Sequence, residues 1–201
     1  MGRFNISKGD RFKIAKSAGL SKIKVQLIWN AGFDLDAEAF LCGNEGVILD
    51  DAGFVFYNSE NREHPFHRSV YGSKHNWLAQ TRPMSADGAV LGSIDDRDGG
   101  DGEVITVDLD KVDPQVSEIV FTTSIHDEGK TFGSVSNATI VIINDETGDE
   151  LCSYELDEAF TEETAVSVAK LILNDDGEWE FEAVGMGHVG GLETLIDIYA
   201  S

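Results

Sequence analysis

Short runs rich in β-branched and aromatic residues recur along the whole chain, each closed by a cluster of Gly, Asn or Asp. They cover residues 23–29, 47–49, 54–57, 104–109, 119–125, 138–143, 151–156 and 179–184. Side chains branched at Cβ pack well on a pleated surface, while Gly and Asn accept the backbone angles of tight turns. Such spacing, without regularly interleaved helices, predicts a mainly β protein, a β-sandwich of two antiparallel sheets. Along 178–184 the alternation puts Trp179, Phe181 and Ala183 on one face and three glutamates on the other, which describes a half-buried strand. The continuous run Ile140, Val141, Ile142, Ile143 should lie deeper. Two short helices are expected in the C-terminal part. In the first, Thr161 caps a turn holding Glu162 and Glu163, and Ala165, Val168, Ala169 and Ile172 follow helical spacing until residues 174–177 stop it. The second should run from about Leu192 to Tyr199.

The chain has 201 residues, 41% of them hydrophobic, which suits one core and a single domain over 1–201. Its net charge of −22 argues against nucleic acid and anionic membrane surfaces as direct partners, since both are bound through lysine and arginine. No stretch nears the roughly 20 apolar residues of a membrane span, and the first ten residues hold no apolar signal core, so a cytoplasmic setting is expected. Cys42 and Cys152 sit among apolar residues and read as reduced, buried thiols. One polar stretch, about 60–84, carries His64, His67 and His75 without a cysteine or a common metal spacing, and reads as a surface loop.

The chemistry concentrates in an acidic segment, where Asp95, Asp96, Asp98, Asp101 and Glu103 share nine residues with three glycines and one cation, Arg97. Two carboxylates about 5 Å apart repel by roughly 3 kcal/mol at an effective dielectric near 20, so such a cluster calls for a positive partner or full solvation. Glycine lets the backbone bend until carboxylates and carbonyls converge, and an all-oxygen donor set of this size suits Ca2+ better than Mg2+. A second acidic group is Asp34, Asp36 and Glu38, which share one face if this part is extended, with Leu35, Ala37 and Ala39 on the other. Glu38 then reads as the exposed polar face of a strand. Paired aspartates after an apolar strand also occur in phosphotransferases with an aspartate nucleophile, a reading that needs a parallel α/β sheet. Asp127, after the 119–125 run, either stands beside the calcium loops or belongs to a polar turn. Residues 144–150 read as a solvated hairpin turn. The Gly-x-Gly-x-x-Gly at 185–190 leaves too little chain for a dinucleotide fold and reads as a tight strand-to-helix turn. Neither Gly-x-Ser-x-Gly nor a P-loop is present.

Several pieces, taken in order, resemble one family. Asp34-Leu35-Asp36-Ala37-Glu38-Ala39-Phe40-Leu41, Phe54-Val55-Phe56-Tyr57-Asn58 and the strand entry Gly100-Asp101-Gly102-Glu103-Val104 are similar to motifs of the TerD domain. So are Ile125-His126-Asp127, Phe132-Gly133-Ser134-Val135-Ser136-Asn137-Ala138 and the closing stretch from Gly177 to Gly187 with Gly190-Gly191-Leu192. The resemblance implies a calcium-binding β-sandwich without enzymatic activity, cytoplasmic, acting in resistance to tellurite and other stresses with other Ter-family proteins, some in the membrane. It implies Asp34, Asp36, Asp51, Asn58, Asp95, Asp96, Asp101 and Glu103 as ligands of one or two Ca2+ ions, to which the residues themselves add Asp98 and Asp127. Three positions depart from the pattern: Gly102 replaces a usual aspartate, Gly53 a common acid and Ser59 a frequent asparagine. A metal-dependent phosphohydrolase using Asp34 or Asp36, and a sandwich that docks on lipid through calcium, are the alternative readings.

Overall fold

The computed structural model describes residues 4–15, 19–64, 66–94 and 102–201. In chain order these form β1 (Phe4–Ile6), β2 (Arg11–Ile14), β3 (Lys22–Asn30), β4 (Leu35–Cys42), β5 (Phe54–Val55), β6 (Arg62–Glu63), helix α1 (Lys74–Gln80), β7 (Arg82–Pro83) and β8 (Val90–Leu91). Then follow β9 (Glu103–Asp108), β10 (Glu118–Ile125), β11 (Ser136–Asn144), β12 (Glu150–Glu155), β13 (Ala165–Leu173), β14 (Trp179–His188) and helix α2 (Gly191–Tyr199). One sheet has the order β1-β12-β11-β3-β9-β8 and the other β2-β14-β13-β10-β4-β5. All pairings are antiparallel except that of β1 with β12.

The core lies between the two sheets, where the inward residues of alternating strands meet: Ile23, Val25 and Leu27 of β3, Ile105 and Val107 of β9, Phe121 of β10 and Phe181 of β14. Trp179, Phe181 and Ala183 are buried as their alternation requires, and the outward Glu180 and Glu182 pair with Arg11 across the β2–β14 edge. Ile140, Val141 and Ile142 are likewise buried. Cys42 and Cys152 are buried free thiols, and desolvation pushes each up to about 12. No helix among the described residues is long and apolar enough to cross a membrane.

The helix expected after Thr161 is instead β13. From Ala165 to Ala169 every residue is buried, because the opposite sheet covers one face of the strand and α2 the other. A strand buried on both faces loses its alternation, so its apolar run satisfies helical and extended spacing alike. The acids read as a helical first turn close a local turn instead, with Glu163 accepting from the amides of Thr161 and Glu162. The second expected helix is α2, which lays Leu192, Leu195, Ile196 and Tyr199 on Phe40, Phe54 and Val120. Of the 47–49 run only a bridge from Ile48 to Cys42 forms.

Residues 60–84 are not a plain surface loop. They fold into the β6–β7 pair and α1 around Arg62, which is 3% exposed. Its guanidinium donates to the carbonyls of Tyr57, Ser59, Leu78 and Thr81 and to Thr81 Oγ1, at 2.6–3.3 Å. The rings of Trp77 and the guanidinium of Arg68 stack at 4.3 Å. Gly185 and Gly187 lie within β14 rather than in a turn. A Cβ on Gly185 would fall 2.5 Å from Glu158 Oε1 and one on Gly187 2.8 Å from Phe160 Cδ1, so both glycines admit the 156–160 segment against the strand.

Candidate metal centre

β4 and β9 belong to different sheets, yet their starts meet at one end of the sandwich. Asp36 near the start of β4 and Glu103 at the start of β9 line a single small cleft, together with Ala37, Tyr57, Pro83, Gly92 and Ser93. Ser93 Oγ is buried there without a hydrogen-bond partner among the described residues. The described residues stop at Ile94 and resume at Gly102, and Ser93 and Glu103, on either side of that interval in sequence, both line this cleft. Asp95, Asp96, Asp98 and Asp101 lie outside the described residues.

Gly102 has φ +84, and a Cβ on it would sit 2.0 Å from the carbonyl oxygen of Leu27. No L-residue can enter β9 this way, which gives a steric reason for glycine where the family usually has an acid. Ser59 also has a reason of its own: its hydroxyl accepts from the Phe56 amide at 3.0 Å and donates to the Phe54 carbonyl at 3.1 Å, closing the Tyr57–Asn58 turn. That turn is further held by Arg62, which takes the Tyr57 carbonyl. Asn58 is half-buried in the turn, and Asp34 is half-buried just before β4.

The structure does not bring Asp51 to the cleft. β5 pairs antiparallel to β4, with Phe54 opposite Phe40, so Asp51 in the 3-10 turn before β5 lies near Leu41. At about 3.3 Å per residue, Leu41 is roughly 17 Å along β4 from Asp36. Asp127 is exposed in the turn after β10, and the neighbouring His126 ring lies 6.4 Å from that of Tyr57, which places this turn on the side of the cleft.

Glu38 overturns the reading of an exposed polar face. It has the same orientation along β4 as Phe40 and Cys42, a face that α2 and the aromatic residues of 54–56 cover, and it is fully buried. Burial pushes its carboxyl up to about 8, against the hydroxyls of Ser124 and Thr122, which donate at 2.5 and 2.6 Å; Asp36 adds a further upward push. At neutral pH the group is therefore mostly neutral. Sequence alternation could not reveal this, because it says which residues share a face but not that another element covers it.

The three histidines do not converge. His64 Nδ1 is 2.6 Å from the Phe66 carbonyl, and His67 accepts from the Ser69 amide. Among the described residues no three His, Cys, Asp or Glu side chains form a ready metal cage. Asp36, Glu103 and the Ser93 hydroxyl are all oxygen donors, a set that fits a hard cation and not zinc. The parallel sheet that an aspartate-nucleophile phosphotransferase requires is also missing, since β4 is antiparallel to both its neighbours.

Two packed, largely antiparallel sheets with a C-terminal helix across one of them, and oxygen donors gathered at one end, define the class of a mainly β sandwich with a loop-built polar site. A TerD domain model matches residues 2–199, and the chain belongs to that family. Tellurium resistance protein TerD of Serratia marcescens is 34% identical, covering 97% of this chain and 96% of its own. General stress protein 16U of Bacillus subtilis (strain 168) is 32% identical over the same shares of the two chains. The crystal structure of a homologue of telluride resistance protein (TerD) from Streptomyces coelicolor A3(2) has the same fold, with a TM-score of 0.59 at 22% identity over 90% of this chain and 96% of that one.

Proposed function

We propose that this protein is a calcium-binding, non-enzymatic module of the cytoplasmic response to tellurite and related stresses, acting with other Ter-family proteins, one of them in the membrane. The observation that carries the reading is the convergence of Asp36, Glu103 and the Ser93 hydroxyl on the cleft that flanks the acidic segment. Asp34 and Asn58 lie close by in sequence to residues of that cleft, and Asp95, Asp96, Asp98 and Asp101 would supply the further oxygens that Ca2+ takes. A cation there would order the segment and fix the surface it presents, which is how a calcium module signals without catalysis.

Calorimetric titration of metal-stripped protein with Ca2+ and then Mg2+ tests this. Saturable Ca2+ binding, weaker Mg2+ binding and loss of affinity in Asp36→Asn are expected. Heats no larger than dilution would refute it, and phosphoester turnover in Mg2+ that Asp34→Asn abolishes would replace it with an enzyme.

A further inference from the structure

A continuous run of aromatic rings joins the acidic cleft to α2. Tyr57 lines the cleft, and its ring meets that of Phe56 edge-on at 5.4 Å between centroids. Phe56 stacks on Phe54 at 4.2 Å, Phe54 stacks on Phe40 at 4.4 Å, and Phe40 meets Tyr199 of α2 at 5.1 Å. Rings this close are in contact, and in a close-packed interior the displacement of one is taken up by the next.

The backbone beneath the rings is tied to the cleft as well. Ser59 Oγ accepts from the Phe56 amide and donates to the Phe54 carbonyl, and Arg62 donates to the carbonyls of Tyr57 and Ser59, so residues 54–59 form one braced piece. One end of it walls the cleft and the other lies beneath α2. β4 runs the same way, with Asp36 in the cleft and Phe40 under the helix.

α2 is the element here with two available states. It has nine residues, follows Gly190 at φ +110 with no side-chain cap hydrogen bond, and has Leu195 as its single fully buried residue. A helix of that length is marginal in water, so this one holds its shape through docking. Its last turn is pinned by the Ile48 amide, which donates to the Tyr199 carbonyl at 2.8 Å, and by the 2.8 Å hydrogen bond between Tyr199 OH and Ser167 Oγ. Both involve the residue that ends the aromatic run.

We propose that occupancy of the acidic cleft sets how firmly α2 is docked, with Tyr57, Phe56, Phe54 and Phe40 as the link; this rests on the reading of that cleft as a calcium site. A cation there fixes the Tyr57–Asn58 turn, and the rings then hold Tyr199 and the helix. Without it the turn, and α2 with it, opens more readily. Such coupling is reciprocal, so the docked helix favours the ion by the same factor that the ion favours docking. What the ion controls is the aromatic face of Phe40 and Phe54, covered when α2 is docked and open to a partner when it is not.

Backbone amide exchange followed by NMR on the full chain, in EDTA and in saturating Ca2+, tests the proposal, with calorimetry on the same preparations. Amides of residues 195–200 should exchange about tenfold more slowly with Ca2+, while those of edge strand β1 change by less than about twofold. Phe54→Leu, which breaks the run of rings away from the cleft, should still bind Ca2+ but lose the slowing at α2. Leu195→Asp, which keeps the helix off the sheet, should bind Ca2+ about tenfold more weakly. Heats no larger than dilution would remove the calcium reading and this proposal with it. Saturable calcium binding with unchanged exchange at α2, slowing that survives Phe54→Leu, or unchanged affinity in Leu195→Asp would overturn the proposal and leave the calcium reading standing. If neither variant folds, the exchange rates of the unaltered protein decide the matter alone.

Discussion

Two clefts in this molecule hold carboxylates, and they differ in what surrounds them. At the end of β4 and β9, Asp36 and Glu103 face the same space as a hydroxyl, and the sequence between Ser93 and Glu103 adds four more acids. Around the 156–160 segment, one carboxylate stands in a wall of Phe, Val, Ala and Leu. The same functional group thus stands in two different surroundings. Many oxygens on bendable backbone favour a hard ion that takes six to eight donors. Glu38 is a third case. Fully buried and bonded by two hydroxyls, it carries little charge at neutral pH.

The largest effect that can break this contrast is calcium itself. If the affinity at the acidic cleft is micromolar, 1 mM free Ca2+ should stabilise the fold by about 4 kcal/mol per site, seen as a rise in Tm over the protein in EDTA. Identical melting curves would remove the acidic cleft from the comparison. Next comes Glu38 in metal-free protein. Its proton is held in the folded state up to about pH 8, whereas an unfolded glutamate loses it near 4.5. Its contribution is therefore fully present below the lower value and is lost as pH rises through the upper one. Glu38→Gln, which keeps the size and stays neutral, should flatten that decline in urea titrations run from pH 4.5 to 8.5; an unchanged slope would mean that another group titrates.

Smaller effects sharpen the contrast between the clefts. Asp36→Asn should reduce calcium affinity about tenfold, or 1.4 kcal/mol, through loss of one formal charge. Asp101→Asn should act in the same direction. Replacing His64, His67 and His75 by alanine should lower stability by about 1 kcal/mol, since His67 caps the 3-10 turn at Arg68–Tyr71, and should change calcium affinity by less than twofold. A large loss of calcium binding in that variant would move the site to the 60–84 region.

Much of the fold was legible because strands advertise themselves through composition. The runs at 23–29, 104–109, 119–125, 138–143 and 151–156 all became strands, and 179–184 became the first part of β14. β13 was misread for a physical reason: covered on both sides, its run Ala165, Val166, Ser167, Val168, Ala169 has no polar alternation to declare an extended chain. At the site, the pairing of Asp36 with Glu103 was anticipated from the motifs, but Asp51 was not separable from them by sequence, since only the antiparallel pairing of β5 on β4 carries it to the far end. Ser93 gave no signal, because a serine next to glycine looks the same in any turn, and Tyr57 stood in a family motif without being marked as part of the cleft.

The sequence by itself determined that this chain is mainly β, that its thiols are buried, and that its acids gather around glycines, because these depend on local composition and on neighbours along the chain. Only the tertiary structure decided which acids carry charge and which share a space. Glu38 and Asp36 stand two residues apart on one face of one strand. Packing seals the first beneath aromatic side chains and leaves the second in a cleft with Glu103, and the dielectric and the neighbours of a carboxylate are properties of that packing. The same holds for Glu158, which lies against β14 only because Gly185 of that distant strand has no Cβ.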